Sequence, residues 1–121
     1  MTAYLSLEDL LALARDLGVG PVRDLGLLDA AAHRPQTVLY GRDAYPELDL
    51  KAAALLESIV RNNALVDGNK RLGWLATVVF FGLNDVEIDA PDDPAYDLVT
   101  TVAAGGIDTA SIATTLHSWH R

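Results

Sequence analysis

The run Asn62-Asn63-Ala64-Leu65-Val66-Asp67-Gly68-Asn69-Lys70-Arg71-Leu72 concentrates the chemistry-bearing residue types of this 121-residue chain. Asp67-Gly68-Asn69-Lys70-Arg71 reads as a loop that runs into a helix. A helix start presents unpaired backbone N–H groups and a partial positive charge. Gly68 lets a backbone approach a ligand closely. Lys70 and Arg71 add two cations at the same point, so the segment has the makings of a phosphate site. Asp67 beside them is a hard oxygen ligand suited to Mg²⁺ on those phosphates. Positioned phosphates, a metal and cations are what phosphoryl or nucleotidyl transfer requires. Asp-Gly is also a hairpin signal, and Ala64-Leu65-Val66 could pair with Leu72 onward. The helical patterns on both sides favour the loop-into-helix reading.

Those patterns define the elements that must hold the loop. Ser6 with Asp9 three residues on resembles a capping box. Leu7, Leu10, Leu11, Ala14 and Leu17 then repeat at helical spacing until Gly18 or Gly20. Asp24 or Asp29 caps a short second helix through Leu27, Leu28 and Ala31, which Pro35 ends. Periodicity vanishes between Arg34 and Pro46, where Thr37-Val38-Leu39-Tyr40 gives a loop or small hairpin. Leu48, Ala52, Leu55, Leu56 and Ile59 share one face of a helix over 48–60. Leu72, Leu75, Ala76, Val79, Phe80 and Leu83 form a second apolar stripe. Asp85 to Asp97 carries six acids and two prolines and reads as a solvated linker. A helix around Leu98, Val99, Val102 and Ala103 ends at Gly105-Gly106. Asp108 or Thr109 caps a last helix reaching about His120. The expectation is one all-α domain over 1–121: a compact bundle of about six helices, with a flap near 35–45 and its two longest helices flanking Asn63–Arg71.

Composition removes several classes of function. Nine basic against seventeen acidic residues give a net charge of −8, which argues against direct nucleic-acid binding and against docking on anionic membranes. With no cysteine, disulfides, thiol nucleophiles and cysteine zinc sites are excluded. No stretch is long and apolar enough for a membrane span, and the expected location is the cytoplasm. His33, His117 and His120 lack the clustered carboxylates of a metal site and read as surface or helix-end residues. Tyr40, Tyr45, Trp74 and Phe80 read as packing residues.

The motif resembles the Fic/Doc family. The Fic signature is His-x-Phe-x-[Asp/Glu]-Gly-Asn-x-Arg, and Asp67-Gly68-Asn69-Lys70-Arg71 matches its second half in full. Lys70 between Asn69 and Arg71 is the form typical of the Doc branch, the death-on-curing toxins of toxin–antitoxin pairs. The first half departs: Asn63 stands at the His position and Leu65 at the Phe position. Gly26-Leu27-Leu28-Asp29-Ala30-Ala31-Ala32-His33-Arg34-Pro35-Gln36 resembles the segment leading into the family's target-docking flap. Tyr45-Pro46 and Lys51-Ala52-Ala53-Ala54-Leu55-Leu56 resemble the helix feeding the motif. The likeness covers roughly residues 4 to 85.

The resemblance implies a role for each motif residue. Asp67 binds Mg²⁺. The backbone at Gly68, Asn69 and Lys70 forms an anion hole. Asn69 and Arg71 hold the phosphates of ATP. Tyr40 to Arg42 fall in the flap that pairs with a substrate strand. Adenylylating Fic enzymes usually have Gly where Lys70 stands and a second Arg where Trp74 stands; both departures resemble the Doc branch. That branch is a kinase that moves the γ-phosphate of ATP onto a Thr of elongation factor Tu and stops translation. It acts with a cognate Phd-like antitoxin whose C-terminal segment folds on the toxin. Asn63 occupies the position of the general base, and an amide cannot take that proton. The implied form is therefore inactive, through an inactivating substitution or as a degenerate member. The alternatives are a degenerate Fic module that binds nucleotide or protein without catalysis, and a Fic-type adenylyl transferase.

Overall fold

The first helix, α1 (Leu7–Leu17), begins where the sequence places it. Ser6 accepts from the Asp9 N–H while the Asp9 carboxylate accepts from the Ser6 N–H, a complete capping box. Gly18, not Gly20, ends α1 in a left-handed conformation. Asp24, not Asp29, caps α2 (Leu25–His33) by accepting from the Leu27 N–H. Asp29 lies inside α2 and faces His33 one turn on, at 3.3 Å. Pro35 then sits in a 3-10 turn, Arg34–Gln36. The computed structural model describes residues 1–121.

A two-stranded hairpin, β1 (Val38–Leu39) and β2 (Arg42–Asp43), follows as the expected flap. Leu39 pairs with Arg42 and Val38 with Asp43. The two loop residues, Tyr40 and Gly41, have φ of 52° and 76°. Positive φ at both is the type I′ pattern, whose twist matches that of the strands. The buried Lys51 ammonium holds the flap's base, 3.4 Å from the Pro35 carbonyl and 3.5 Å from Asp43.

Two 15-residue helices form the centre: α3 (Leu48–Asn62) and α4 (Asn69–Leu83). The single apolar face expected for α3 is an underestimate, because every residue from Lys51 to Val60 is buried. It is surrounded by α2, α4, α5 (Asp92–Ala104), α6 (Thr109–His117) and the 3-10 turn. A helix with neighbours on all sides has no solvent face to mark with polar residues. Gly73 lets α4 lie close to α3, since a Cβ there would come within 2.6 Å of Val60 Cγ1. In α4, Leu72, Ala76 and Phe80 are buried as expected, whereas Leu83 is exposed.

The stretch read as an acidic linker is also corrected. Only its first part is irregular; α5 begins at Asp92, with Pro91 as N-cap. Pro94 falls in the first turn, where a missing N–H costs nothing. Asp92 and Asp93 oppose the positive end of the helix dipole there. Asp108, rather than Thr109, caps α6, which ends at His117 and not at His120.

Three charged side chains tie these layers together. Glu57, 7% exposed, accepts from Arg34 at 2.6 Å and from Arg61 at 2.7 Å. Arg61 also donates to the Val102 and Ile107 carbonyls, each at 2.8 Å, and Arg34 donates to Ser58 and Tyr45. Thr109 closes the network by donating to Glu57. No helix is long and apolar enough to cross a membrane.

Candidate functional site

The motif spans the end of α3, a connecting loop and the start of α4. Asn63 is the C-cap of α3, in a left-handed conformation with φ 52° and ψ 46°. Its carbonyl accepts from the Arg23 guanidinium, and its side-chain amide lies 3.4 Å from the Arg61 carbonyl. The loop after it pairs with the connection between α1 and α2. Val22 and Leu65 form an antiparallel bridge. The Val66 N–H donates to the Pro21 carbonyl at 2.9 Å, and the Gly20 N–H to the Asp67 carbonyl at 3.1 Å. Arg23 and Asp24 N–H groups both donate to the Ala64 carbonyl. The connection between α1 and α2 is therefore the splint for the motif. Sequence reading missed it, although Gly18, Gly20 and Pro21 marked a non-helical connection of the right length. Nothing local marked Arg23.

Asn69 locks the loop from the other side. Its side chain accepts from the Leu65 N–H at 3.0 Å and donates to the Leu65 carbonyl at 2.9 Å. Each end of the amide makes one bond to Leu65, leaving one side-chain N–H unpaired, and the Asn69 backbone N–H belongs to the open first turn of α4. Gly68, with φ 94°, is the N-cap of α4. A Cβ on it would sit 2.4 Å from Val19 Cβ, so both its conformation and its packing require glycine. Glycine has no side chain to cap with, and the first helical bond runs from the Leu72 N–H to the Gly68 carbonyl. The N–H groups of the first turn are thus left for solvent or a ligand.

Asp67, Lys70 and Arg71 are all exposed at this helix start. Asp67 and Arg71 approach to 3.3 Å one turn apart, with side chains 80% and 60% exposed. Such a surface pair is weak and can exchange partners readily. The structure thus brings together Asp67, Gly68, the Asn69 backbone, Lys70 and Arg71. Asn63 is on the same connection but makes no hydrogen bond to them.

Beside this loop runs an apolar groove of about 560 Å³ between α4 and α5, lined by Leu17, Trp74, Leu75, Val78, Tyr96 and Val99. Lys70 and Arg71 stand at its edge. Trp74 also meets Trp119 edge-on at 6.1 Å. Phe80 is fully buried, and Tyr45 hydrogen-bonds Arg34, as packing residues do. Tyr40 does not pack: it is fully exposed at the flap tip, with Val38 and Leu39 both more than half exposed beside it.

Residues 4–81 match the Fic/DOC family. The chain belongs to that family. It is also 51% identical over 121 residues to Toxin Doc of Mycolicibacterium smegmatis, a match spanning 96% of this chain and 92% of that protein. The Fic/DOC match ends within α4, so it includes the splint, the flap, the central helix and the motif loop. The groove's far wall, α5, lies beyond it.

Proposed function

We propose that this Fic/DOC chain is the toxin of a toxin–antitoxin pair, built as a protein kinase that moves the γ-phosphate of ATP to a Thr of elongation factor Tu. The observation that carries the reading is the uncapped start of α4, where glycine-shaped backbone meets Asp67, Lys70 and Arg71. The donor set fits a Mg²⁺–nucleotide. Asp67 offers a hard carboxylate oxygen, the first-turn N–H groups offer an anion cradle, and the two cations offer charge to phosphate oxygens. A Mg²⁺ held by the Asp67 carboxylate would supply positive charge against the charge that develops on the transferred phosphate. Arg71 grips phosphate as a planar fork, and Lys70 acts as a point charge. Asn69 holds the loop in shape through Leu65, while its N–H joins the cradle. The flap hairpin presents exposed Val38, Leu39 and Tyr40 to a substrate segment.

Asn63 makes this form inactive, since the amide has no basic lone pair for the substrate hydroxyl's proton. The expected cost is about 10²–10⁴-fold in rate. Trp74 weighs against adenylyl transfer, because an indole packed on Trp119 is no phosphate clamp. The experiment is to incubate the chain and its Asn63→His variant with elongation factor Tu and doubly labelled ATP. γ-Label should pass to a Thr with Asn63→His and not with the parent chain. Transfer of adenine label would make it an adenylyl transferase. Transfer of neither would leave a module that binds without catalysis.

The partner proposed is a Phd-like antitoxin, with both proteins in the cytoplasm. Its C-terminal segment lies as an amphipathic helix in the groove between α4 and α5, with acidic residues toward Lys70 and Arg71. Val78→Asp, which places a charge on the groove wall, should abolish co-purification with the product of the adjacent small gene. Retained co-purification would put the antitoxin elsewhere.

A further inference from the structure

The end of the chain folds back onto the start of α3 and brings three metal-ligating side chains to one point. His117 closes α6, His120 lies three residues on, and Asp49 belongs to the first turn of α3. Asp49 Oδ2 is 2.9 Å from His117 Nδ1, and Asp49 Oδ1 is 2.6 Å from His120 Nε2. With one oxygen taken from Asp49 and one ring nitrogen from each histidine, the three ligand atoms lie within 4.8 Å of one another.

Backbone contacts fix this arrangement from several elements. Ile88 and His120 form an antiparallel bridge. The Asp89 N–H donates to the Trp119 carbonyl and the Arg121 N–H to the Glu87 carbonyl. The His120 ring stands edge-on to buried Phe81 at 5.4 Å. Asp49 and His120 side chains are 17% and 26% exposed, whereas His117 is 70% exposed. Two ligands are thus held in place, and the third leaves the site open to solvent.

Charge and spacing select the ligand. With neutral imidazoles the cluster carries one negative charge facing two ring nitrogens. With both rings protonated, two cations whose ring centroids are 4.6 Å apart would share one carboxylate. A divalent metal satisfies all three groups. Ligand atoms about 2.0–2.2 Å from a metal lie about 3.0–3.5 Å apart, so the short Asp49 contacts must open by tenths of an ångström and any pair near the 4.8 Å limit must close by about an ångström. Each imidazole would move its proton to the other ring nitrogen. Two nitrogen donors in three favour Zn²⁺, Ni²⁺ or Cu²⁺ and disfavour Mg²⁺ and Ca²⁺.

We propose that Asp49, His117 and His120 form a site for a Zn²⁺-class divalent transition metal, which staples the C-terminal segment to α3 with water completing the shell. The site is at the opposite end of α3 from Asn63, about 20 Å away at ~1.5 Å per residue. It is independent of the Mg²⁺ proposed at Asp67.

The test is calorimetric titration of Zn²⁺ into tag-free, EDTA-stripped chain, with thermal melts alongside. One Zn²⁺ should bind per chain and raise the melting temperature, while Mg²⁺ should not displace it. Asp49→Asn and His117→Gln should each weaken Zn²⁺ by at least about 10- to 100-fold, the loss typical of removing even an outer-shell partner. His117 is exposed, so His117→Gln keeps the fold, which circular dichroism verifies. Asp67→Asn should bind Zn²⁺ as the parent does. No binding at millimolar Zn²⁺, or equal affinity in parent, Asp49→Asn and His117→Gln, would overturn the site. Loss of Zn²⁺ in Asp67→Asn alone would place the metal at the motif loop and overturn it too.

Discussion

Arg71 is the residue whose alteration separates a phosphate site from a helix start. Its only ion-pair partner is exposed Asp67, so its removal should leave stability nearly unchanged. Charge-assisted hydrogen bonds contribute about 1.5–3 kcal/mol each, so Arg71→Ala should weaken ATP binding roughly 10- to 100-fold. Arg71→Lys should restore only part of the loss, because an ammonium cannot reproduce the fork. Adenosine, without phosphates, should bind both chains alike. Calorimetric titrations with Mg²⁺ present make the comparison, and equal ATP affinity would remove the phosphate reading. Asn69 behaves differently. Its side chain closes the loop on Leu65, so Asn69→Ala should loosen the loop as well as lower ATP affinity, detectable as faster amide exchange at Leu65.

At the scale of elements, the contact between α3 and α4 sets the motif's geometry, because the loop spans the adjoining ends of the two helices. At Gly73 they pack with no room for a Cβ. Gly73→Ala inserts a methyl group against Val60, Leu56 and Ile59. Overpacking of this kind costs about 1–3 kcal/mol, readable as a lower urea midpoint with an unchanged slope. The start of α6 carries a pH signature. Asp108 accepts from the Ser111 side chain and N–H, and these bonds hold its carboxyl below the ordinary value of 3.8. A depressed folded-state value means stabilisation that is present above the ordinary value and lost as pH falls through the lowered one. Asp108→Ala should therefore melt earlier than the parent at neutral pH, and the gap should close in strong acid.

For the molecule as a whole, Glu57 is the charge that joins the layers. It sits between Arg34 and Arg61, which in turn hold carbonyls on α3, on α5 and at the approach to α6. Removing one partner of a buried ion pair costs about 3–5 kcal/mol. The guanidiniums keep a quarter to a third of their exposure, which puts Glu57→Ala at the lower end of that range. Denaturant unfolding should show the loss as one cooperative shift, not as selective release of α6.

The helices were legible in sequence because their causes are local. Ser6 with Asp9, Gly18, Asp24 and Asp108 act within one turn, and the apolar spacing of α1 and α4 repeats every three or four residues. The motif loop was legible too, since Asp67 to Arg71 are contiguous. What tertiary structure decided lies between distant residues. The start of α5 was hidden because prolines and acids are read as breakers, yet both suit a first turn. The all-round burial of α3 depends on five neighbours, which no single-face pattern encodes. The splint of residues 20–24 on 64–67, the Arg34–Glu57 pair and the meeting of Asp49 with His117 and His120 join positions from 23 to 71 residues apart. Local propensity acts over a few residues of chain. Packing of one helix against four others and a 3-10 turn chooses which far side chains face each other, and that choice turned two unremarkable histidines and one aspartate into a cluster.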